Sequence, residues 1–108
     1  MIAHNLRFFD RNGRVLATGR ATDEGGYLGG TADWSAAPAP VLALFAEFEE
    51  VVDGQMFAFL DDVQRRIQAL GITAAFDGGG AIDLTDLQVF PSTGDFSFRL
   101  VPVPSATV

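Results

Sequence analysis

Eight apolar residues, Phe45, Phe48, Val52, Met56, Phe59, Val63, Ile67 and Leu70, recur at steps of three and four along the middle of the chain. That spacing places them on one side of a helix and demands an apolar surface to cover them. Pro40 suits the first helical turn, where its missing N–H has no partner to lose. Gly71 suits the left-handed position just past the helix end, with Ile72 folding back as the closing contact. Only Asp53-Gly54 interrupts the stretch. A glycine inside a helix costs about 1 kcal/mol relative to alanine, too little to break one held by a continuous buried stripe. The expectation is therefore one long helix, bent at Gly54, with two helices meeting there as the alternative. Asp61 with Arg65 and Asp62 with Arg66 stand four apart in the favourable acid-first order.

The flanking segments carry strand and turn signals. Ile2 to Phe9 and Arg14 to Thr22 read as a hairpin around Asp10-Arg11-Asn12-Gly13. A type I turn with a bulge pairs Asp10 with Arg14 and Phe8 with Leu16; a two-residue Asn12-Gly13 turn pairs Phe9 with Leu16 instead. Tyr27 to Trp34 forms a third strand, in which Gly29 and Gly30 mark a bulge or close packing. After the helix come Ile72 to Phe76, Ala81 to Phe90 and Asp95 to Val101, with turns at Asp77-Gly78-Gly79-Gly80 and Pro91-Ser92-Thr93-Gly94. A four-residue loop in the last hairpin pairs Val89 with Phe96, Leu87 with Phe98, Gln88 with Ser97 and Asp86 with Arg99, separating an apolar from a charge-matched face. The expected class is α+β: an antiparallel sheet of about six strands in β-β-β-α-β-β-β order, with one long amphipathic helix packed on one face.

A chain of 108 residues is read as a single α+β domain over 1–108, with a flexible C-terminal tail from about Pro102. Its 48% hydrophobic and 19% charged residues exclude the composition of a disordered chain. A formal charge of −7 repels phosphate backbones, so neither direct nucleic-acid nor anionic-membrane binding is expected. All seven basic residues are arginines, which removes lysine Schiff-base chemistry. The absence of cysteine removes disulfides, thiolate catalysis and Cys-ligated metals, and no long apolar run stands near the N-terminus. The expected setting is cytoplasmic.

Catalytic signals are weak. His4 is the one histidine, and none of Ser35, Ser92, Ser97 or Ser105 lies in a nucleophile elbow. The Gly78 to Asp83 stretch resembles a calcium-binding repeat but has Ala81 where a glycine is required and occurs once, so it is read as a turn. No metal or cofactor is expected. On a continuous helix Glu50, Asp53, Phe57, Asp61 and Gln64 cluster opposite the main stripe, as an aromatic anchor with an acidic rim. The leading functional reading is a small acidic protein-binding module, of inhibitor or immunity type, that occludes a basic protein partner through this face. The alternative is a homodimeric structural or scaffold protein joined through Phe9, Leu84, Phe90 and Val101 on the outer sheet face. A third reading, a carboxylate-based enzyme or small-ligand binder, requires a concave pocket at Glu49, Asp53 or Asp83 with a raised carboxyl pKa.

Overall fold

The computed structural model describes residues 3–77 and 79–100. Val101 and the tail from 102 lie outside the described residues. Asp10 builds the first turn: its Oδ1 accepts hydrogen bonds from the backbone N–H groups of Asn12 (2.8 Å) and Arg14 (3.0 Å). Asp10 and Arg14 are joined across the turn, and Gly13 takes a φ of 84°. This is the type I turn with a bulge. It joins β1 (Ala3–Phe9) to β2 (Val15–Asp23), with Phe8 opposite Ala17 and Phe9 opposite Val15. Leu16 is the extra residue of the bulge, so the expected pairing of Phe8 with Leu16 is displaced by one.

β3 (Leu28–Asp33) pairs with β2, and its other edge pairs with β6 (Asp95–Leu100). β4 (Thr73–Phe76), β5 (Ile82–Phe90) and β6 form a second meander. β4 then pairs with β1, setting Phe8 opposite Ala74 and Leu6 opposite Phe76. The sheet is therefore a closed antiparallel barrel in the order β1-β2-β3-β6-β5-β4, which corrects the expected open α+β sheet. Closure is permitted by small inward residues. Gly19 and Gly30 face the partner strands so closely that a Cβ on either would overlap a backbone carbonyl oxygen, of Thr31 and Arg20 respectively. Side chains there would hold the strands apart and flatten the sheet.

The long helix is also corrected. α1 (Ala39–Asp53) and α2 (Leu60–Gln68) are separated by Gly54, Gln55, Met56 and one 3-10 turn, Phe57–Phe59. The Met56 N–H donates to the Val51 carbonyl (2.9 Å) and the Gln55 N–H to that of Val52 (3.1 Å). These two bonds are a Schellman motif with Gln55 at the left-handed position, φ 56°. Satisfying the terminal carbonyls in this way outweighs extending the stripe. Within α1 Val51 rather than Val52 is the buried residue, and past the break the helical phase restarts, leaving Met56 and Phe59 exposed. The far end of α2 follows expectation, with Gly71 at φ 68° and Ile72 buried.

β4 pairs with β5 only at Thr73↔Asp83 and Ala74↔Ile82, and beyond that point the two helices pack against β5. Gln68 Nε2 donates to the Leu84 carbonyl (3.4 Å). The core runs without interruption from the barrel into the helices: Phe8 meets Phe96 and Trp34, and Trp34 meets Phe45 edge-on at 5.1 Å. Arg11, from the first turn, donates to the Leu70 (3.4 Å) and Ala69 carbonyls and so caps α2. No helix is long and apolar enough to cross a membrane among the described residues. The barrel interior is apolar and outward positions such as Asn5, Arg7, Arg20 and Gln88 are polar, the inverse of a lipid-facing barrel.

Two substitutions test these constraints in opposite directions. Gly30→Ala should destabilise the fold by about 3 kcal/mol or more, because the clash is with backbone that cannot move without parting β2 from β3. Gln55→Gly should stabilise it by about 1 kcal/mol, because glycine adopts the left-handed conformation without a Cβ penalty. Urea denaturation of the two variants beside the parent chain measures both effects.

Candidate functional site

The break between the helices creates an elbow at the surface. Phe57 and Phe59 are each 61% exposed and Met56 stands exposed beside them. A turn with about three residues per turn cannot hide consecutive large side chains on a body already packed elsewhere. Next to the elbow lies an open groove of about 720 Å³, between the end of α1 and the β5–β6 turn, with Glu50, Asp53, Met56 and Pro91 on its walls. Glu49 also lines it but is committed to the fold, accepting hydrogen bonds from the Ser92 N–H (3.0 Å) and the Ser92 hydroxyl.

The charges on the two helices obey opposite rules. In α2, Asp61 and Asp62 occupy the first turn and Arg65 and Arg66 the last, as the helix dipole favours. In α1, Glu50 and Asp53 stand at the C-terminal end with no basic residue in the last turn. Like charge at that end opposes the dipole by roughly 0.3–1 kcal/mol per group. The Arg65 guanidinium turns to Asp62 (3.9 Å), and Arg66 joins Asp62 (3.0 Å) and Glu47. The expected Asp61–Arg65 pair is not formed. Among the described residues Glu50, Asp53 and Asp61 have no ion-pair or hydrogen-bond partner.

The residues expected on one helix face are thus distributed over three elements. Glu50 and Asp53 end α1, Phe57 opens the 3-10 turn, and Asp61 begins α2; Gln64 is half-buried within α2. The elbow keeps Phe57 exposed and adds Met56 and Phe59, which the sequence periodicity assigned to the core. The signal that could have found them is Gly54-Gln55, read as a helix stop.

The expected dimer face is not assembled. Leu84 is 4% exposed, because a bulge between Thr85 and Gln88 turns it inward. Phe90 lies beneath α1, with its ring 5.6 Å from that of Phe48. Phe9 is half-buried under the Arg7 guanidinium, and Val101 falls outside the described residues. His4 is exposed and meets Phe76 edge-on. Among the described residues no three His, Asp or Glu side chains gather to hold a metal ion.

The bulge in β5 shapes a second surface. The expected pairs Val89–Phe96 and Gln88–Ser97 are formed, but Arg99 stands opposite Thr85 rather than Asp86. Asp86 bulges outward at φ 56°, and its carboxylate lies 3.6 Å from the Arg99 guanidinium. A left-handed non-glycine residue costs about 1 kcal/mol, and an exposed ion pair returns a median of roughly 0–1 kcal/mol. Aspartate is also among the non-glycine residues that adopt this conformation most readily. A depression of about 310 Å³ opens at this point, between Asp86, Gln88, Ser97, Arg99 and Tyr27.

No protein family, curated protein or solved structure matches the chain. Its surface chemistry is the ground for a functional reading.

One titration checks the electrostatic link between the helices. The Glu47 carboxyl is held below its ordinary range, chiefly by the hydrogen bond from Arg66 and further by the Arg66 charge, with desolvation opposing. A depressed carboxyl stabilises the fold fully above the ordinary glutamate range, near pH 4.3, and the contribution is lost as pH falls through the lowered folded value. Carboxyl NMR should find Glu47 titrating below an exposed glutamate, and Arg66→Gln should return it to the ordinary range.

Proposed function

We propose that this chain is a protein-binding module whose elbow docks a basic, apolar-anchored segment of a partner protein. The observation that carries the reading is the joint exposure of Met56, Phe57 and Phe59 on one rigid turn, where folding alone gains nothing from three large apolar side chains in water. The unpartnered carboxylates Glu50, Asp53 and Asp61 around them define the partner's sign: arginine or lysine flanking a large apolar residue. Glu50 and Asp53 support this reading because they oppose the α1 dipole, and a cation bound in the groove relieves that repulsion. The Schellman bonds fix the elbow before contact, so little ordering is required on binding. Barrel closure pairs every strand on both sides along part of its length, which favours recognition through side chains. A carboxylate-based enzyme is the weaker alternative: of the carboxylates it would use, Glu49 is engaged as a tether to Ser92.

Peptide-display selection against the intact protein should enrich sequences that place Arg or Lys beside a large apolar residue. The double substitution Phe57→Ser with Phe59→Ser should weaken the selected peptides by about a hundredfold at unchanged thermal stability. Glu50→Gln with Asp53→Asn should flatten the salt dependence of their affinity. Enrichment of acidic sequences, or equal binding to the double variant, overturns the reading.

A further inference from the structure

We infer that the outer face of β5 and β6 carries a second, independent binding site, for a neutral saccharide ring. The site is the depression of about 310 Å³ between Tyr27, Asp86, Gln88, Ser97 and Arg99, a volume at the lower end of the range used for small ligands. Its floor is the hydrogen-bonded ladder Gln88↔Ser97 with Ser97↔Gly29 beyond it, a rigid sheet rather than a loop. Tyr27 forms one wall at 42% exposure, and its ring stands 3.6 Å from where a Cβ on Gly29 would lie. The same ring borders a neighbouring depression of about 200 Å³ that runs toward Leu100, so the track continues past one ring.

The chemistry of the walls selects the ligand. Asp86 and Arg99 are paired and sum to zero charge, so an ion of either sign that enters meets an opposing charge beside the attracting one, whereas a neutral ligand does not. Apart from Tyr27 and the Phe98 strand position the lining is polar, which leaves little for a purely apolar ligand. A hydroxyl-rich ring meets every group present. Adjacent hydroxyls donate to the Asp86 carboxylate and accept from Arg99, while Gln88 and Ser97 do either. The C–H face of the ring lies against the exposed tyrosine, which offers a rigid aromatic surface with a polar tip. The bulge, with Asp86 in the left-handed conformation, aims its carboxylate out of the ladder and into the depression.

The experiment is a titration of the intact, isotope-labelled protein with a panel of methyl glycosides and their disaccharides, followed by backbone NMR. Saturable shifts confined to Tyr27, Gln88, Ser97 and Arg99, with a millimolar dissociation constant, are expected for at least one sugar. Tyr27→Ala should weaken that binding by about tenfold. Asp86→Gly keeps the left-handed backbone and removes the carboxylate, so it should raise the melting temperature while binding is lost. The proposal is overturned if no glycoside produces saturable shifts at these residues, or if acetate or inorganic phosphate does so instead. It is equally overturned if Asp86→Gly binds as well as the parent or melts lower. None of these outcomes depends on the elbow, which lies on other elements.

Discussion

Six strands close into a barrel only if the sheet coils tightly, and the coil depends on the contact between β2 and β3. There Gly19 and Gly30 let backbone lie against backbone, with no side chain between the strands. The rest of the architecture follows from that approach. With β3 drawn in, its far edge reaches β6, and the opposite edge of β1 reaches β4. β4 is too short to flank all of β5, and the helices fill the remaining seam with Phe48, Val63 and Ile67. The aromatic chain from Phe8 through Trp34 to Phe45 makes barrel and helices one core, so neither packs without the other.

Much of this was legible in the sequence at the level of local chemistry. The order of strands and turns, the Asp10 turn, Pro40 in the first turn of the helix, Gly71 beyond its end and two pairs of the last hairpin all follow from residue type and spacing. What failed was non-local. Alternation along a strand says which residues share a face, but not whether the sheet's two edges meet; of the glycines that decide this, Gly30 was readable only as a bulge or close packing, and Gly19 carried no signal at all. The helix failed for a different reason. The stripe continues through Met56 and Phe59 by periodicity and so favoured one helix, whereas the stop falls at Gly54-Gln55, the interruption where the alternative reading had two helices meet. Leu84 was misplaced by one inserted residue, since a bulge exchanges the two faces of everything beyond it.

The candidate surfaces share a physical character. Each is a place where local preference is overruled: apolar rings left in water at the elbow, acids at the wrong end of α1, a left-handed aspartate in β5. α2, by contrast, follows its local rules, in its charge order and in the capping of its last carbonyls by Arg11. A sequence that satisfies the dipole in one helix and violates it in the next has a use for the violation. The acidic groove lies near the exposed rings because both arise from the same interruption, which ends α1 and turns the chain outward in a few residues.

The two seams also govern how the barrel can come into being. β1 to β3 form one meander and β4 to β6 another, and the pairs that join them set Phe8 against Ala74 and Leu28 against Phe98. Each half alone has two open edges and an apolar face, and neither has a partner within itself. During synthesis the first meander leaves the ribosome with its edges bare and stays so until the last strand follows. Contacts so distant in sequence are slow to form. The barrel's closure thus rests on its most distant contacts, while the elbow linking the halves is set by local ones.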